Sequence, residues 1–411
     1  MHITFFNRAY DPEVSATSQL LTDLAEGLVH DHGCRVTVVA GWPSGGLRRA
    51  AWGHLVIPEH RRGVEVLRAW GTTLSKCTLA GRATNYLTYF GSACVAGFQI
   101  DRPDVVIALT DPPIVGLAAL LAARRFHARF AISYRDLFPE VARLLTGSRN
   151  PGIEWALHRV NRILIGQADR VIALGSAMRR RLIEEKGAPA DKVVILPDWA
   201  DCMAIVPGPK DNPFAQTHGL ADRFVIMHAG NLGVSQNLSV LVQAMVHLAD
   251  LPDVVLVFVG DGVTRGTLQA QVDQLGLTTV RFLPFQPRDQ LSQVFASADC
   301  FIVSLKPGLS GYIMPSKLYA ILAAGRPYVA AVEASCDVAR ITREYECGLL
   351  AQSDDPRDLA DKIRRLHQDR ELGQRMGERA RRASVVFDRR RGVEAYLKMC
   401  QELVTERKRR G

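Results

Sequence analysis

The stretch Phe224-Val225-Ile226-Met227-His228-Ala229-Gly230-Asn231-Leu232-Gly233-Val234-Ser235-Gln236-Asn237 carries the reading of the fold. Its first five residues have the composition of a short strand, the two glycines break the run, and helical periodicity starts near Asn237. A strand that enters a glycine turn and then a helix is the repeating unit of a parallel sheet wrapped by helices. The unit recurs downstream: Val254 to Val259, Val280 to Leu283, Cys300 to Val303 and Tyr328 to Ala331 read as strands, with helices starting near Thr264, Arg288, Pro315 and Cys336. Beyond Gly348 to Leu350 the chain turns polar and helical.

Upstream the same alternation is present. Ile3 to Asn7, Arg35 to Ala40, Val64 to Trp70, Asp104 to Leu109, Arg129 to Ser133, Arg170 to Leu174 and Val193 to Leu196 read as strands, with a first helix from about Ser15 to His32. Between the two series, Pro197, Pro207, Pro209 and Pro213 interrupt regular structure and suit a linker. The fold class is therefore α/β, with two Rossmann-like doubly wound domains. The expected division is residues 1–200, a linker at 201–222, a second domain at 223–385, and a closing helical segment at 386–411 that packs back on the first domain. A chain of 411 residues suits two cores better than one.

Composition narrows the function. Hydrophobic residues at 47% and charged residues at 23% exclude a disordered or fibrous chain. The net charge of +9 favours phosphate-bearing partners or an anionic membrane. The basic residues fall at 124–129, 179–181, 379–391 and 407–410 instead of along one groove-reading helix, so nucleic acid is not an expected partner. The eight cysteines (Cys34, Cys77, Cys94, Cys202, Cys300, Cys336, Cys347 and Cys400) show no zinc spacing and read as small buried residues. The start reads as a first strand and not as a signal peptide, and the apolar run Ile114 to Ala123 stops at Arg124-Arg125, so a cytoplasmic chain without a membrane span is expected.

In doubly wound sheets ligands bind beyond the carboxyl ends of strands, which directs attention to the segments that follow them. The turn Gly230 to Gln236 fits a phosphate loop or an ordinary tight turn. Gly260-Asp261-Gly262 fits a plain turn and gains weight only from standing at the same sheet edge. The third place is Pro307-Gly308-Leu309-Ser310-Gly311-Tyr312-Ile313-Met314-Pro315-Ser316-Lys317-Leu318-Tyr319, closed by Gly325. Here Lys317 falls in the first turn of a helix, where an ammonium opposes the helix dipole unless an anion accompanies it. A solvated lysine is the competing reading. In the first domain, Asp11 to Thr17 and Ser133 to Glu140 follow strands. Ser15 or Thr17 can cap a helix, and Arg135, Asp136 and Glu140 can serve acid/base work or simply pair with one another.

The ordered set of motifs resembles the retaining nucleotide-sugar glycosyltransferases of family four, in particular those of colanic-acid, O-antigen and exopolysaccharide synthesis. The residues that carry the resemblance are Pro12-Glu13 with Ala16-Thr17, Arg135 to Glu140, Leu196-Pro197-Asp198-Trp199, Gly230 to Gly233 with Gln236, Gly260-Asp261-Gly262, and Pro315 to Tyr319 with Gly325-Arg326-Pro327. It implies the GT-B arrangement, with two domains facing across a cleft that holds the donor. It also implies catalytic roles for Asp136, facing the reacting sugar, and Lys317, on the diphosphate. Donor contacts are implied at Ala16, Thr17, Gly230, Asn231, Gly233, Gln236, Gly260, Asp261, Leu283, Phe285, Ser310, Gly311 and Ser316, and Glu13, Arg135 and Glu140 fall on the acceptor side.

The implied donor is a UDP- or GDP-linked sugar, and the implied acceptor a polyprenyl-diphosphate-linked glycan at the inner face of the cell membrane. No cofactor or metal is implied. Relatives carry a pair of glutamates around the third place; Tyr312 and Ala320 stand there in this chain, and Asn231 and Gln236 replace the usual arginine and lysine. A catalytically degenerate homologue acting as a binding partner subunit is the alternative that Ala320 raises. The segment Trp70 to Ile100, with Lys76, Arg82, Tyr86, Leu87 and Phe98, reads either as a membrane-surface helix or as a helix buried in the first domain.

Overall fold

A computed structural model describes residues 1–13, 15–43, 53–75, 79–147 and 149–410; Val14, Lys76 and Cys77 lie outside the described residues. Contacts divide the chain into two compact units, Met1–Pro197 with Arg389–Gly411, and Asp198–Asp388.

The first unit is built on eight strands: β1 (His2–Phe6), β2 (Arg35–Gly41), β3 (Val56–Arg61), β4 (Val64–Ala69), β5 (Val105–Leu109), β6 (Arg129–Ser133), β7 (Arg170–Ala173) and β8 (Val193–Ile195). They lie in the order β3-β4-β2-β1-β5-β6-β7-β8. β1, β2 and β5 are buried at every position but Arg35, as strands covered on both faces must be. The edge strand β3 is antiparallel to β4 and was not expected. Its sequence, Val-Ile-Pro-Glu-His-Arg, contains a proline and no sustained apolar pattern, which is tolerated only where one strand edge faces outward.

Helices Ala16–His30 and Arg389–Arg410 pack together in this unit. The contact is close because Gly27 has no side chain: a Cβ there would stand 2.8 Å from Val393 Cγ2. Arg129 Nε donates to the Leu403 carbonyl (3.1 Å), and Arg170 pairs with Glu406 (2.5 Å), which ties the closing helix to the starts of β6 and β7.

The second unit holds six parallel strands, β9 (Phe224–Ala229), β10 (Val254–Val259), β11 (Val280–Leu283), β12 (Cys300–Ser304), β13 (Tyr328–Ala331) and β14 (Gly348–Ala351), in the order β11-β10-β9-β12-β13-β14. The last was not expected as a strand; it is a four-residue edge whose Gly348 lies against the Tyr328 carbonyl, too short for periodicity to reveal. Residues 201–222 are packed into this unit. Asn212 caps helix Pro213–Thr217 and donates to Ser297 Oγ (3.1 Å), while Lys210 pairs with Asp299 (2.6 Å).

Six of the seven described cysteines are buried, and all seven are unpaired. Among the described residues no helix is long and apolar enough to cross a membrane. Replacing Val393 by Asp should destabilise the first unit by at least about 3 kcal/mol, because the carboxylate has no partner in that seam. In a domain of this size that is roughly a 6 °C fall in midpoint, measurable by scanning calorimetry. An unchanged midpoint would contradict the packing of the closing helix.

Candidate active site

Each sheet reverses its winding at one place, and a crevice opens beyond the strand ends there. In the second unit the reversal lies between β9 and β12. The penultimate residue of β9 is His228, which is fully buried. After β12 the chain makes a turn at Gly308 and Gly311, both with positive φ, and enters helix Lys317–Ala323. Lys317 Nζ donates to His228 Nε2 at 2.7 Å, joining residues 89 positions apart.

The pair is electrostatically unusual. Burial pushes the Lys317 ammonium down to about 7. Burial, and then the Lys317 charge, hold the His228 imidazole well below its ordinary value, so it stays neutral. A neutral ring that accepts at Nε2 carries its proton on Nδ1, and Nδ1 is enclosed without a well-aligned partner. The reading of Lys317 as a solvated surface lysine does not hold, and the lysine sits at the head of its helix, preceded by Ser316, whose side chain makes no cap, and with Gly325 (φ 62°) just beyond the end.

The glycine turns beside this pair form one interlocked structure. A Cβ on Gly260 would lie 2.0 Å from the Gly230 carbonyl oxygen, and one on Gly262 would lie 2.3 Å from that of Leu232. Gly260-Asp261-Gly262 is therefore the floor on which the Gly230 loop rests. The Asp261 carbonyl accepts from Leu232 N–H (2.9 Å), and Asp261 Oδ1 accepts from Gly262 N–H (2.8 Å). Gly230 N–H donates to the Val259 carbonyl (2.8 Å) and Gly233 N–H to Gln236 Oε1 (2.8 Å), so these two amides are engaged inside the loop. Gln236 shapes the turn, and Asn231 lies against Gly233 with an exposed surface.

Phe285 follows β11, is 51% exposed and stands against Gly260. Leu283 is half-buried at the end of β11. Ser310 is buried and its hydroxyl accepts from Ser335 (3.0 Å). Tyr312 is buried, and Ala320 offers only a methyl group one turn beyond Lys317. Glu333 accepts from Gly308 N–H (3.1 Å), which sets a carboxylate beside the 307–311 turn.

The first unit reverses between β1 and β5. Arg8, directly after β1, pairs with Asp111 (3.3 Å) and reaches Glu13 (4.0 Å). Arg135 N–H donates to Thr110 Oγ1 (3.0 Å), which sets the segment after β6 beside the end of β5. Tyr134 Oη donates to Asn161, whose amide donates to the Phe138 carbonyl (2.7 Å). That carbonyl also accepts from Lys186, which is paired with Glu140 at 2.6 Å. Glu140 is thus part of the scaffold holding residues 134–140, with Asp136 half-buried between its fixed ends. Ser15 caps helix Ala16–His30 by accepting from Ser18 N–H (3.2 Å), leaving Ala16 and Thr17 in the first turn. Sequence reasoning did not single out His228, Arg8 or Asp111. Among the described residues no three His, Cys, Asp or Glu side chains gather as a metal-binding group.

Residues 16–199 match the family model described as glycosyl transferase 4-like domain, and residues 211–383 that of glycosyl transferases group 1. The chain belongs to the two-domain glycosyltransferases that join these modules, and it is an enzyme of that class. It is 28% identical over 378 residues to the "Putative colanic acid biosynthesis glycosyl transferase WcaI" of Escherichia coli K12, covering 84% of this chain and 86% of that one. It is 25% identical over 261 residues to the "Probable glycosyltransferase WbjE" of Pseudomonas aeruginosa, covering 63% of this chain and 65% of that one. Its fold, GT-B, is similar to that of Anabaena HepE, solved with UDP (TM-score 0.74, 18% identity, 98% of this chain and 100% of that one). It is likewise similar to that of WaaG, involved in lipopolysaccharide biosynthesis (TM-score 0.70, 15% identity, 97% and 99%).

Gly260→Ala should cost the second unit roughly 3 kcal/mol or more, since backbone must move and φ is 143°. Gly266→Ala, in an open helical position with nothing near its Cβ, should be neutral or stabilising by about 1 kcal/mol. Equal midpoints for the two variants in thermal unfolding would contradict the interlocked loops.

Proposed function

We propose that this enzyme transfers a sugar, with retention of anomeric configuration, from a UDP- or GDP-linked donor to a polyprenyl-diphosphate-linked glycan. It would work at the inner face of the cell membrane in bacterial surface polysaccharide synthesis. The observation that carries this reading is the Lys317–His228 pair at the reversal of the second sheet, a cation held where an anion is needed. The WcaI relative, whose name refers to colanic acid, and the HepE structures that hold UDP and UDP-glucose support the substrate class.

In this mechanism Lys317 donates to the donor's diphosphate, with the Gly230 loop shaping the space around it. The exposed Phe285 ring offers a face to the nucleobase, beside Leu283. The bond between the anomeric carbon and the diphosphate oxygen breaks while the acceptor hydroxyl oxygen bonds to the same face, and the hydroxyl proton passes to the departing diphosphate. Lys317 stabilises the negative charge that develops there, without a metal. His228 contributes by holding the ammonium in place. Asp136, on its braced segment in the first unit, is assigned to the reacting sugar, with Glu13 and Arg135 on the acceptor side. The ribose contact comes from a group other than Ala320.

Lys317→Ala should weaken UDP or GDP binding by about 10- to 100-fold, the weight of a charge-assisted hydrogen bond. Lys317 must be protonated to bind a diphosphate, and in the free protein it is half-protonated near pH 7. Affinity should therefore fall as pH rises from 7 to 9, with proton uptake on binding, approaching tenfold per pH unit. Calorimetry in buffers of different ionisation enthalpy reads both effects. A pH-independent affinity in the native enzyme, or an unchanged slope in Lys317→Ala, would exclude the assignment. Failure to release nucleotide from any UDP- or GDP-sugar in the presence of membranes would exclude the function.

A further inference from the structure

Three helices of the first unit, Leu79–Gln99, Val115–Phe126 and Pro151–Gln167, pack side by side as one layer. Arg124 donates to Gln167 (2.8 Å) and joins the second helix to the third. The outer surface of this layer is apolar to a degree that its stability does not require. Trp155 is 71% exposed, Leu87 61%, Phe98 51% and Leu121 45%, and Ile163 on the same helix as Trp155 is exposed as well. Apolar side chains concentrated on one surface mark an interaction site.

The charge of the same layer is one-sided. The three helices carry Arg82, Arg124, Arg125, Arg159 and Arg162, and a single acid, Glu154. The helices that pack together elsewhere in the unit, Ala16–His30 and Arg389–Arg410, mix both signs, with Asp23, Glu26, Glu394, Glu402 and Glu406 among them. Arg125 lies 5.4 Å from the ring centres of both Phe98 and Phe126, so its guanidinium rides on the aromatic surface in the manner of side chains at a membrane boundary.

We propose that this layer docks on an anionic lipid bilayer, with Trp155, Leu87 and Phe98 entering the headgroup boundary and the arginines meeting lipid phosphates. A second copy of the chain fits poorly, since a self-complementary interface would bring the arginines of one layer against those of the other. The inference rests on the reading of the acceptor as membrane-borne, and it adds a route. Helix Leu79–Gln99 presents Leu87 and Phe98 outward and, with Arg82, Tyr86 and Tyr89, lines a cavity of about 150 Å³ that also includes Arg8 and Trp42. A glycan anchored in the docked bilayer would reach that cavity along the same helix, and Arg82 would meet its diphosphate.

The test uses the full chain with vesicles of phosphatidylcholine containing phosphatidylglycerol, and with vesicles of phosphatidylcholine alone. Co-sedimentation should be at least about tenfold stronger with the anionic vesicles and should fall with salt. The double variants Trp155→Ser/Leu87→Ser and Arg159→Glu/Arg162→Glu should each lose about tenfold in vesicle partitioning, with thermal midpoint and UDP affinity unchanged. No preference for anionic vesicles, undiminished binding by both variants, or dimerisation that the variants abolish would overturn the proposal. Transfer to a detergent-dispersed acceptor separates the two readings. If it persists while vesicle binding is absent, the docking surface falls and the function stands; if vesicle binding is as described and no sugar is transferred, the function falls and the surface stands.

Discussion

An ammonium enclosed beside a neutral imidazole has two ways to relieve its cost: it can lose its proton, or it can meet an anion. Lys317 is caught between these outcomes, its ordinary value brought down to about 7 by burial. Much of the second unit serves to hold it there. The sheet reverses between β9 and β12, so the end of one strand supplies His228 and the helix after the other supplies Lys317. The glycines at 260 and 262 let two backbone segments approach more closely than any side chain would permit, and the loop beside the pair keeps its shape through its own hydrogen bonds. A loop whose amides are already engaged needs no rearrangement when a ligand arrives, which suits electrostatic stabilisation by groups fixed in advance.

The first unit is arranged differently. Its charges satisfy one another, Arg8 with Asp111 beyond the ends of β1 and β5, and Lys186, after helix Ser176–Glu184, with Glu140. The second pair is buried, and such a pair contributes little net stability but fixes geometry, because breaking either partner leaves an uncompensated charge. It braces the Phe138 and Glu140 end of the segment that carries Asp136, while Asn161 and Thr110 hold the Tyr134 and Arg135 end. One unit thus holds an under-compensated cation and the other a compensated frame, a division consistent with binding a charged leaving group on one and positioning a neutral hydroxyl on the other.

The sheets were legible because buried parallel strands are continuous apolar runs, and twelve of them were marked by composition alone. β3 and β14 were not, since an edge strand with Pro58 and a four-residue strand lack the pattern that burial on both faces imposes. Among site residues, Ser316 and Lys317 were found from helix-start chemistry. His228 was missed because a histidine at the end of an apolar strand carries no local signal, and only the sheet order brings it to Lys317. Gly260 and Gly262 were recognised as turns, but their reason, one backbone resting on another, involves residues far apart in the chain. The segment Trp70 to Ile100 was legible as basic and amphipathic; Trp155 was not, because its surface is shared by three helices.

The most direct measurement is an NMR titration of the Lys317 side chain, assigned by comparison with Lys317→Arg, in the free enzyme and with UDP bound. The account predicts a midpoint near 7 in the free enzyme and an upward move once the diphosphate is present. A midpoint in the ordinary lysine range that UDP leaves unchanged would contradict it.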